Sequence, residues 1–423
     1  MNFFENNVYP TPLRNTPVLP ILLLSLAQQT NAPKTTNTFK DEYDFIVVGG
    51  GSAGAVVASR LSEYTCVSVL LLEAGKSPPL LNDVPVLARN FWFTDIDWQY
   101  KTVPQKYCGD GLVNKQVLWP SGKGLGGSSL LNGMMYVRGN HKNYDDWAKV
   151  GAKGWNYSEV LPYFKKLEDN KDYTNEYHGV GGPVTVHKPR YAAEVKESLL
   201  ETSKLFGYEV LDSNGATQTG YYDHQANHRN GQRCSTAKAY LVPAEDRENL
   251  DIVTHAFVKK VVIEDHQAVG VEFDHGGSSH TVRAKREVIM SAGAVNSAQL
   301  LMLSGIGPKE HLQKLNIKVV EDLPVGDNFQ DHPATPIPIG VHSSVKTILQ
   351  RAQSPRGFFN YLHDRSGPLA STEAVTLITF LNGEGLRPKE DIPDFENYYA
   401  ELPSFDYAKQ FGMTPESAGT NTN

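Results

Sequence analysis

Residues Trp119–Asn140, WPSGKGLGGSSLLNGMMYVRGN, set Gly122, Gly124, Gly126, Gly127 and Gly133 in a polar stretch that runs into a Leu- and Met-rich continuation. Glycine lets backbone touch a ligand or take positive φ. Such density predicts backbone wrapped around a large cofactor. A second signal lies upstream in Asp44–Gly54, DFIVVGGGSAG, which contains Gly49-x-Gly51-x-x-Gly54. There Gly49 would allow a tight turn, Gly51 a close approach to a pyrophosphate, and Gly54 close helix–strand packing. The N-terminus of the helix that follows offers free N–H groups and a partial positive charge to phosphate. Glu73, about 20 residues further on, is placed to accept hydrogen bonds from an adenosine ribose. The chemistry implied is dinucleotide binding, with NAD and FAD both open.

These residues need a βαβ frame. Phe45–Val48 is a short apolar run that reads as a buried strand. Ala55–Glu63, AVVASRLSE, has helical composition without a breaker, and a second apolar run, Val67–Leu72, ends at Glu73. The unit Tyr43–Gly75 therefore reads strand, glycine turn, helix, strand, acid. Further on, Trp155–Asn170 reads as a helix with Asn156 and Glu159 forming a capping box. Asn156-Tyr-Ser158 is also a glycosylation sequon, usable only in a secreted chain. Arg190–Phe206 reads as another helix. Phe257–Glu264, Ala268–His275 and Thr281–Ser291 read as strands, the last two joined by a Gly-Gly-Ser-Ser turn. Together they read as a β-meander that ends at Ser291-Ala-Gly293. Tyr144–Tyr222 reads as a substrate-side layer, and the tail Thr414–Asn423 as disordered.

With these motifs in order, the chain resembles the glucose–methanol–choline (GMC) flavin oxidoreductases. Gly122-Lys-Gly-Leu-Gly126-Gly127-Ser128-Ser129-Leu-Leu-Asn132, followed by Tyr136, Gly139 and Asp145, fits the first signature of that family. SAGAVNSAQLLMLSGIG, Ser291–Gly307, fits the second except at Ala298, where the family usually has Pro or Ser. LPVGDNFQDHP, Leu323–Pro333, also looks like the family. Asp97–Gln105 and Gly231–Leu241 are similar to its insect glucose-dehydrogenase-like branch. The resemblance implies a mixed α/β fold: a Rossmann-like FAD-binding domain with a β-meander (40–143 and 223–330) and an incomplete α+β substrate domain (144–222 and 331–423), behind a leader (1–39). It also implies FAD. Ser52 and Ala53 would face the pyrophosphate and Glu73 the ribose. Gly126, Gly127, Ser128, Asn132, Gly133 and Met135 would line the flavin and its ribityl chain, and the Val258 backbone would touch the adenine. Leu131 stands where some members attach the flavin to a His, so FAD is expected to be non-covalent. Leu130 and Leu131 read as ordinary core.

The family chemistry is oxidation of an alcohol or sugar CH–OH group, with hydride transfer from the carbinol carbon to flavin N5 while a base takes the hydroxyl proton. The resemblance implies that this base is a His in an HPxG-type segment near the C-terminus, followed by a second His or Asn. Neither occurs in these 423 residues, so the catalytic residues are unknown and an incomplete chain is expected. The alternative is an inactive flavin-binding remnant. His332, beside Asp331, reads as a hydrogen-bonded strut. His141 and Asp145-Asp146 read as surface charge. His178, His187, His224 and His228 show no metal spacing, and no metal is expected.

A net charge of −7 without a basic run argues against a nucleic-acid partner. The expected partners are a small alcohol or sugar and an unidentified electron acceptor. Cys66 reads as core, while Cys108 and Cys234 could pair, although the spacing fits no zinc pattern. Val18–Ala27, VLPILLLSLA, is too short to span a bilayer. It fits a signal-peptide h-region with a small-residue site at Ser25-Leu-Ala27, which points to secretion. A surface-lying leader is the competing reading.

Overall fold

The computed structural model describes residues 18–28, 31–337, 339–340, 342, 344–372, 375–385, 389–401 and 412–413. The expected disordered tail lies outside them. Glu42–Val48 forms the first strand, Ser52–Leu61 the helix and Val69–Leu72 the second strand. They sit in a six-stranded sheet, ordered Leu250–Val253, Val69–Leu72, Glu42–Val48, Ser278–Met290, Gln267–His275, Phe257–Glu264. The first four run parallel, with Val48 paired to both Leu72 and Met290. The last three form an antiparallel meander, with Val282 opposite Val271. Ser278–Met290, 13 residues long, belongs to both halves.

Both faces of the parallel part are covered, as such sheets require. Alternate residues feed two cores. Ile46, Val48, Leu70 and Leu72 pack with Val271 and Phe273. Val47, Val69 and Leu71 pack with Ala55 and Ala58 of the helix and with Ala237 and Leu241.

The meander strands match expectation closely. The last one starts at Ser278 rather than Thr281, because the turn consumes only Gly276 and Gly277, both at positive φ (59° and 81°). Such two-residue turns suit the twist of a hairpin.

A second layer holds a four-stranded sheet (Glu168–Asn170, Val184–His187, Ala226–Arg229, Gln232–Arg233) and a three-stranded one (Phe395–Ala400, Val375–Leu381, Gly220–Tyr222). Met135 bridges to Ala226, linking the second glycine stretch to this layer.

Three local expectations need correction. The helix expected over Trp155–Asn170 spans Tyr157–Leu167, with the Asn156–Glu159 capping box present, and its last three residues form a strand instead. The helix expected from Arg190 begins at Lys196, because Tyr191, Ala193 and Val195 are spent packing against the helix Pro355–Asp364 and its neighbours. All three cysteines are free, and Cys66 is exposed. It lies in the turn before the buried strand, which starts only at Val69.

Val18–Ala27 forms a helix seated on the protein. Leu22 and Leu26 are fully buried among Val84, Val86, Phe358, Tyr361 and Leu369. Ser25 Oγ accepts a hydrogen bond from Arg365 at 2.6 Å. No described helix is long and apolar enough to cross a membrane.

Candidate cofactor site

The two glycine stretches meet backbone to backbone at the end of the first strand. The Gly126 N–H donates to the Gly50 carbonyl at 2.8 Å. Gly49 has φ +99°, and a β-carbon there would lie 2.5 Å from Ser291 O. That oxygen belongs to the residue where the meander strand returns, and Ser291 N–H donates to Val48 O at 2.8 Å. A β-carbon on Gly127 would lie 2.6 Å from Gly51 Cα. Gly126 and Gly127 both take positive φ (107° and 52°). These positions thus require glycine for close approach, and the result is a narrow cradle floored by backbone.

The helix Ser52–Leu61 points its N-terminus into this cradle. Gly51 is its N-cap and supplies no capping side chain, so the first-turn N–H groups stay available. Ser52 and Ala53 are exposed there, while Gly54 is buried. An uncapped helix start beside a glycine-built gap is suited to an anion such as a pyrophosphate.

Glu73 is buried at the end of the second strand. Its Oε2 accepts from Gly50 N–H at 2.7 Å and its Oε1 from Gly75 N–H at 2.8 Å. Burial pushes its carboxyl up, against the pull of those two hydrogen bonds. Glu73 therefore also shapes the first glycine turn. Its backbone joins the strand Leu250–Val253: Glu73 N–H donates to Val253 O, and Ala256 N–H to Glu73 O. Val258 follows two residues past Ala256, in the strand Phe257–Glu264.

Ser128 and Asn132 are exposed one turn apart on the second loop. Gly133 and Met135 are half-buried, and Met135 packs toward Tyr222 and Val375. Leu130 and Leu131 are core, packed with Phe91 and Ile96.

Behind Asn132 lies a group that sequence reasoning missed. Arg233 is fully buried and donates to Ser129 O, Asn132 O and Asn132 Oδ1, each at 2.9 Å. Nearby, Lys238 Nζ bonds Asp83 Oδ2 at 2.6 Å, both nearly buried. The local signal was a pair of basic residues, Arg233 and Lys238, within the short run GQRCSTAKAYL.

The histidines expected to be scattered are partly assembled. His178 lies between Glu168 (2.9 Å) and Asp212 (2.6 Å), and Glu168 also pairs with buried Arg138. Burial opposes a charge on His178, yet the two carboxylates prevail and push its pKa up to about 9. His187 and His228 have ring centroids 5.2 Å apart. Among the described residues no group of three or more metal-ligating side chains is placed to hold a metal. His332 is exposed, and its backbone N–H, rather than its ring, bonds Asp331. His141 is also exposed, at the start of a helix capped by Asn140.

Comparison with known proteins follows the same lines. The GMC oxidoreductase family profile matches residues 43–334. The chain is 42% identical over 365 residues to a glucose dehydrogenase [FAD, quinone] of Drosophila pseudoobscura pseudoobscura, covering 85% of this chain and 58% of that protein. It is 47% identical over 298 residues to the Drosophila melanogaster protein of the same name, covering 69% and 48%. An oxygen-dependent choline dehydrogenase of Pectobacterium carotovorum is 45% identical over 301 residues, covering 69% and 53%. The chain thus spans about half the length of these relatives. Among solved structures, a formate oxidase superposes with a TM-score of 0.72 at 28% identity, over 82% of this chain and 63% of that one.

Proposed function

The chain belongs to the GMC oxidoreductase family, and on that premise we propose that it is the cofactor-binding part of an FAD-dependent alcohol or sugar oxidoreductase. The observation that carries this reading is the backbone-floored cradle, where Gly50 and Gly126 bond directly and an uncapped helix start faces the gap. Gly49, Gly51, Ser52, Ala53 and Gly54 would hold the pyrophosphate, and Glu73 the ribose, beside the Val258 backbone. Gly126, Gly127, Ser128, Asn132, Gly133 and Met135 would border the flavin. When bound, FAD supplies hydride acceptance from a CH–OH carbon. The protein's part is to orient the cofactor, exclude water around it and set fixed dipoles against it.

Leu131 offers no atom for a covalent link, which supports non-covalent FAD. Residues 40–143 and 223–330 would carry the cofactor, and 144–222 with 331–423 the substrate side. The strand Ala226–Arg229, paired to Val184–His187, ties the two together. The relatives named for glucose and choline support small hydroxylated substrates. The apolar run Val18–Ala27 supports secretion. The packing of Leu22 and Leu26 then supports retention of the leader helix on the protein surface, rather than its removal.

The test is a visible spectrum of the purified chain, recorded anaerobically before and after sugars and alcohols are added. A flavin spectrum that bleaches with one compound supports the full reading. A flavin spectrum that never bleaches limits the chain to cofactor binding, and absence of flavin refutes the site.

A further inference from the structure

We infer that Asn156 is an N-glycosylation site and that its glycan covers an exposed apolar patch beside it, formed by Trp147, Val150 and Trp155. The inference rests on the secretion reading above.

The acceptor motif is the first observation. Asn156-Tyr-Ser158 is the one Asn-x-Ser/Thr triplet in the 423 residues, with Tyr rather than Pro at its centre. It lies where the chain enters the helix Tyr157–Leu167. Lys153, Gly154, Trp155, Ser158 and Glu159 are exposed around it, and Asn156 is half-buried. Gly151 and Gly154 have open space where a β-carbon would stand. Nothing described packs over this loop at those two points.

Capping and glycosylation use different atoms of one amide. Asn156 Oδ1 accepts the Glu159 N–H at 3.1 Å and the Ser158 hydroxyl at 2.7 Å. Nδ2 donates to Glu159 Oε2, and among the described residues it has no second acceptor. The amide nitrogen carries two hydrogens, so one is left for substitution. The co-reactant is an oligosaccharide carried on a lipid diphosphate. Nδ2 attacks the anomeric carbon, so a C–N bond forms and the C–O bond to phosphate breaks. The lipid diphosphate leaves with that electron pair, one Nδ2 proton is released, and nothing is oxidised or reduced. Oδ1 and the remaining N–H keep the helix cap.

The patch is the second observation. Trp147, Val150 and Trp155 are 48%, 86% and 53% exposed. The Trp147 and Trp155 ring centroids lie 6.0 Å apart. Ala152 N–H donates to Trp147 O at 3.0 Å and Trp155 N–H to Ala152 O at 3.2 Å, which turns the loop back so that the two indoles meet. Clustered exposed apolar side chains of this kind call for a cover. Trp155 directly precedes Asn156, so a glycan rooted on Nδ2 starts beside its ring. Sugar rings offer C–H faces to an aromatic surface while their hydroxyls stay in water, which suits an indole with an apolar body.

The test uses the full chain expressed in insect cells, with its Asn156→Asp and Ser158→Ala variants. Asp caps a helix about as well as Asn, so Asn156→Asp removes the acceptor nitrogen and keeps the helix start. Peptide mass mapping should find a glycan on Asn156 of the secreted parent and none in either variant. Hydroxyl-radical labelling at Trp147 and Trp155, read by peptide mass, should rise about twofold in the variants once the bulky glycan is absent. If one variant does not fold, the other decides. A secreted parent with a bare Asn156 overturns the inference. A glycan on Asn156 with labelling unchanged in the variants overturns its role as a cover. A parent found only in the cytosol, without glycan, overturns the secretion reading and the inference with it.

Discussion

A β-carbon placed on Gly54 would lie 1.8 Å from the carbonyl oxygen of Gly49. The helix and the turn before it touch at that point, and nothing larger than hydrogen fits. A β-carbon on Gly51 would meet only Gly127 Cα, at an ordinary 3.6 Å. Gly51 also has φ −75°, which any residue accepts. Neighbouring glycines of one motif thus differ in their surroundings: the protein's own backbone fills the space beside Gly54 and leaves it open beside Gly51.

The first prediction separates them. Gly54→Ala should lose about 1–3 kcal/mol of stability, or fail to fold, because overpacking here meets backbone. Gly51→Ala should keep its stability to within about 0.5 kcal/mol and lose FAD. Urea unfolding paired with flavin content checks both. Equal behaviour of the two variants would contradict the division.

Glu73→Gln is a larger change than the amide's acceptor oxygen implies. Both carboxylate oxygens accept backbone N–H groups, from Gly50 and Gly75. An amide has one acceptor end, so its NH2 would confront one of those donors. We expect a loss of about 1–3 kcal/mol together with weakened FAD binding. Amide exchange at Gly50 and Gly75 should quicken, and unchanged protection there would refute the claim.

His178 should make the fold sensitive to alkali. Its pKa rises from 6.5 to about 9 on folding. A raised histidine contributes stability that is complete below pH 6.5 and lost as pH climbs through about 9. The thermal midpoint should therefore fall across that window. His178→Gln should start lower and show a flatter profile there; a profile as steep as the parent's would assign the effect elsewhere.

His228 should act at the other end. It is fully buried, neither ring nitrogen has a hydrogen-bond partner among the described residues, and burial drives its pKa down to about 3. An unfolded chain takes up that proton near pH 6.5, so stability should decline as pH falls below it. His228→Leu removes two unpaired polar atoms and should be close to neutral at pH 7, with a shallower acid decline. Acid titration of stability distinguishes the two proteins.

Leu26→Ala should cost about 2–5 kcal/mol if the helix Val18–Ala27 stays on the folded protein. The same substitution would leave the stability of a secreted product unchanged if cleavage at Ala27 removes that helix. Intact mass and thermal midpoint of protein from insect cells decide the point.

What the sequence revealed was what is local. The glycine spacing, the Asn156–Glu159 box and the meander strands each depend on residues close in the chain, and the structure places them within a few residues of expectation. Arg233 and Asn132 are 101 positions apart, and Lys238 and Asp83 are 155 apart. No periodicity connects such pairs; only the folded backbone does. The late start of the Arg190–Phe206 helix, at Lys196, has the same origin, since tertiary packing of Tyr191 and Ala193 outweighs helical propensity. Cys66 was misjudged because an apolar run blurs where a strand begins.

The long strand Ser278–Met290 also bears on the order of folding. Its antiparallel neighbour Gln267–His275, and the strand Phe257–Glu264 paired to that neighbour, lie just before it in the chain, joined by tight turns at Asp265-His266 and Gly276-Gly277. Its parallel neighbour, Glu42–Val48, comes from the other end of the sequence. Local hairpins close early, and distant parallel pairings wait. The meander is thus the part of the sheet able to assemble first, and its last strand becomes the template that captures Glu42–Val48. Until that strand arrives, Ser291 has no Gly49 to press against and the cradle does not exist. Competence to bind a dinucleotide would then be the last property this sheet acquires.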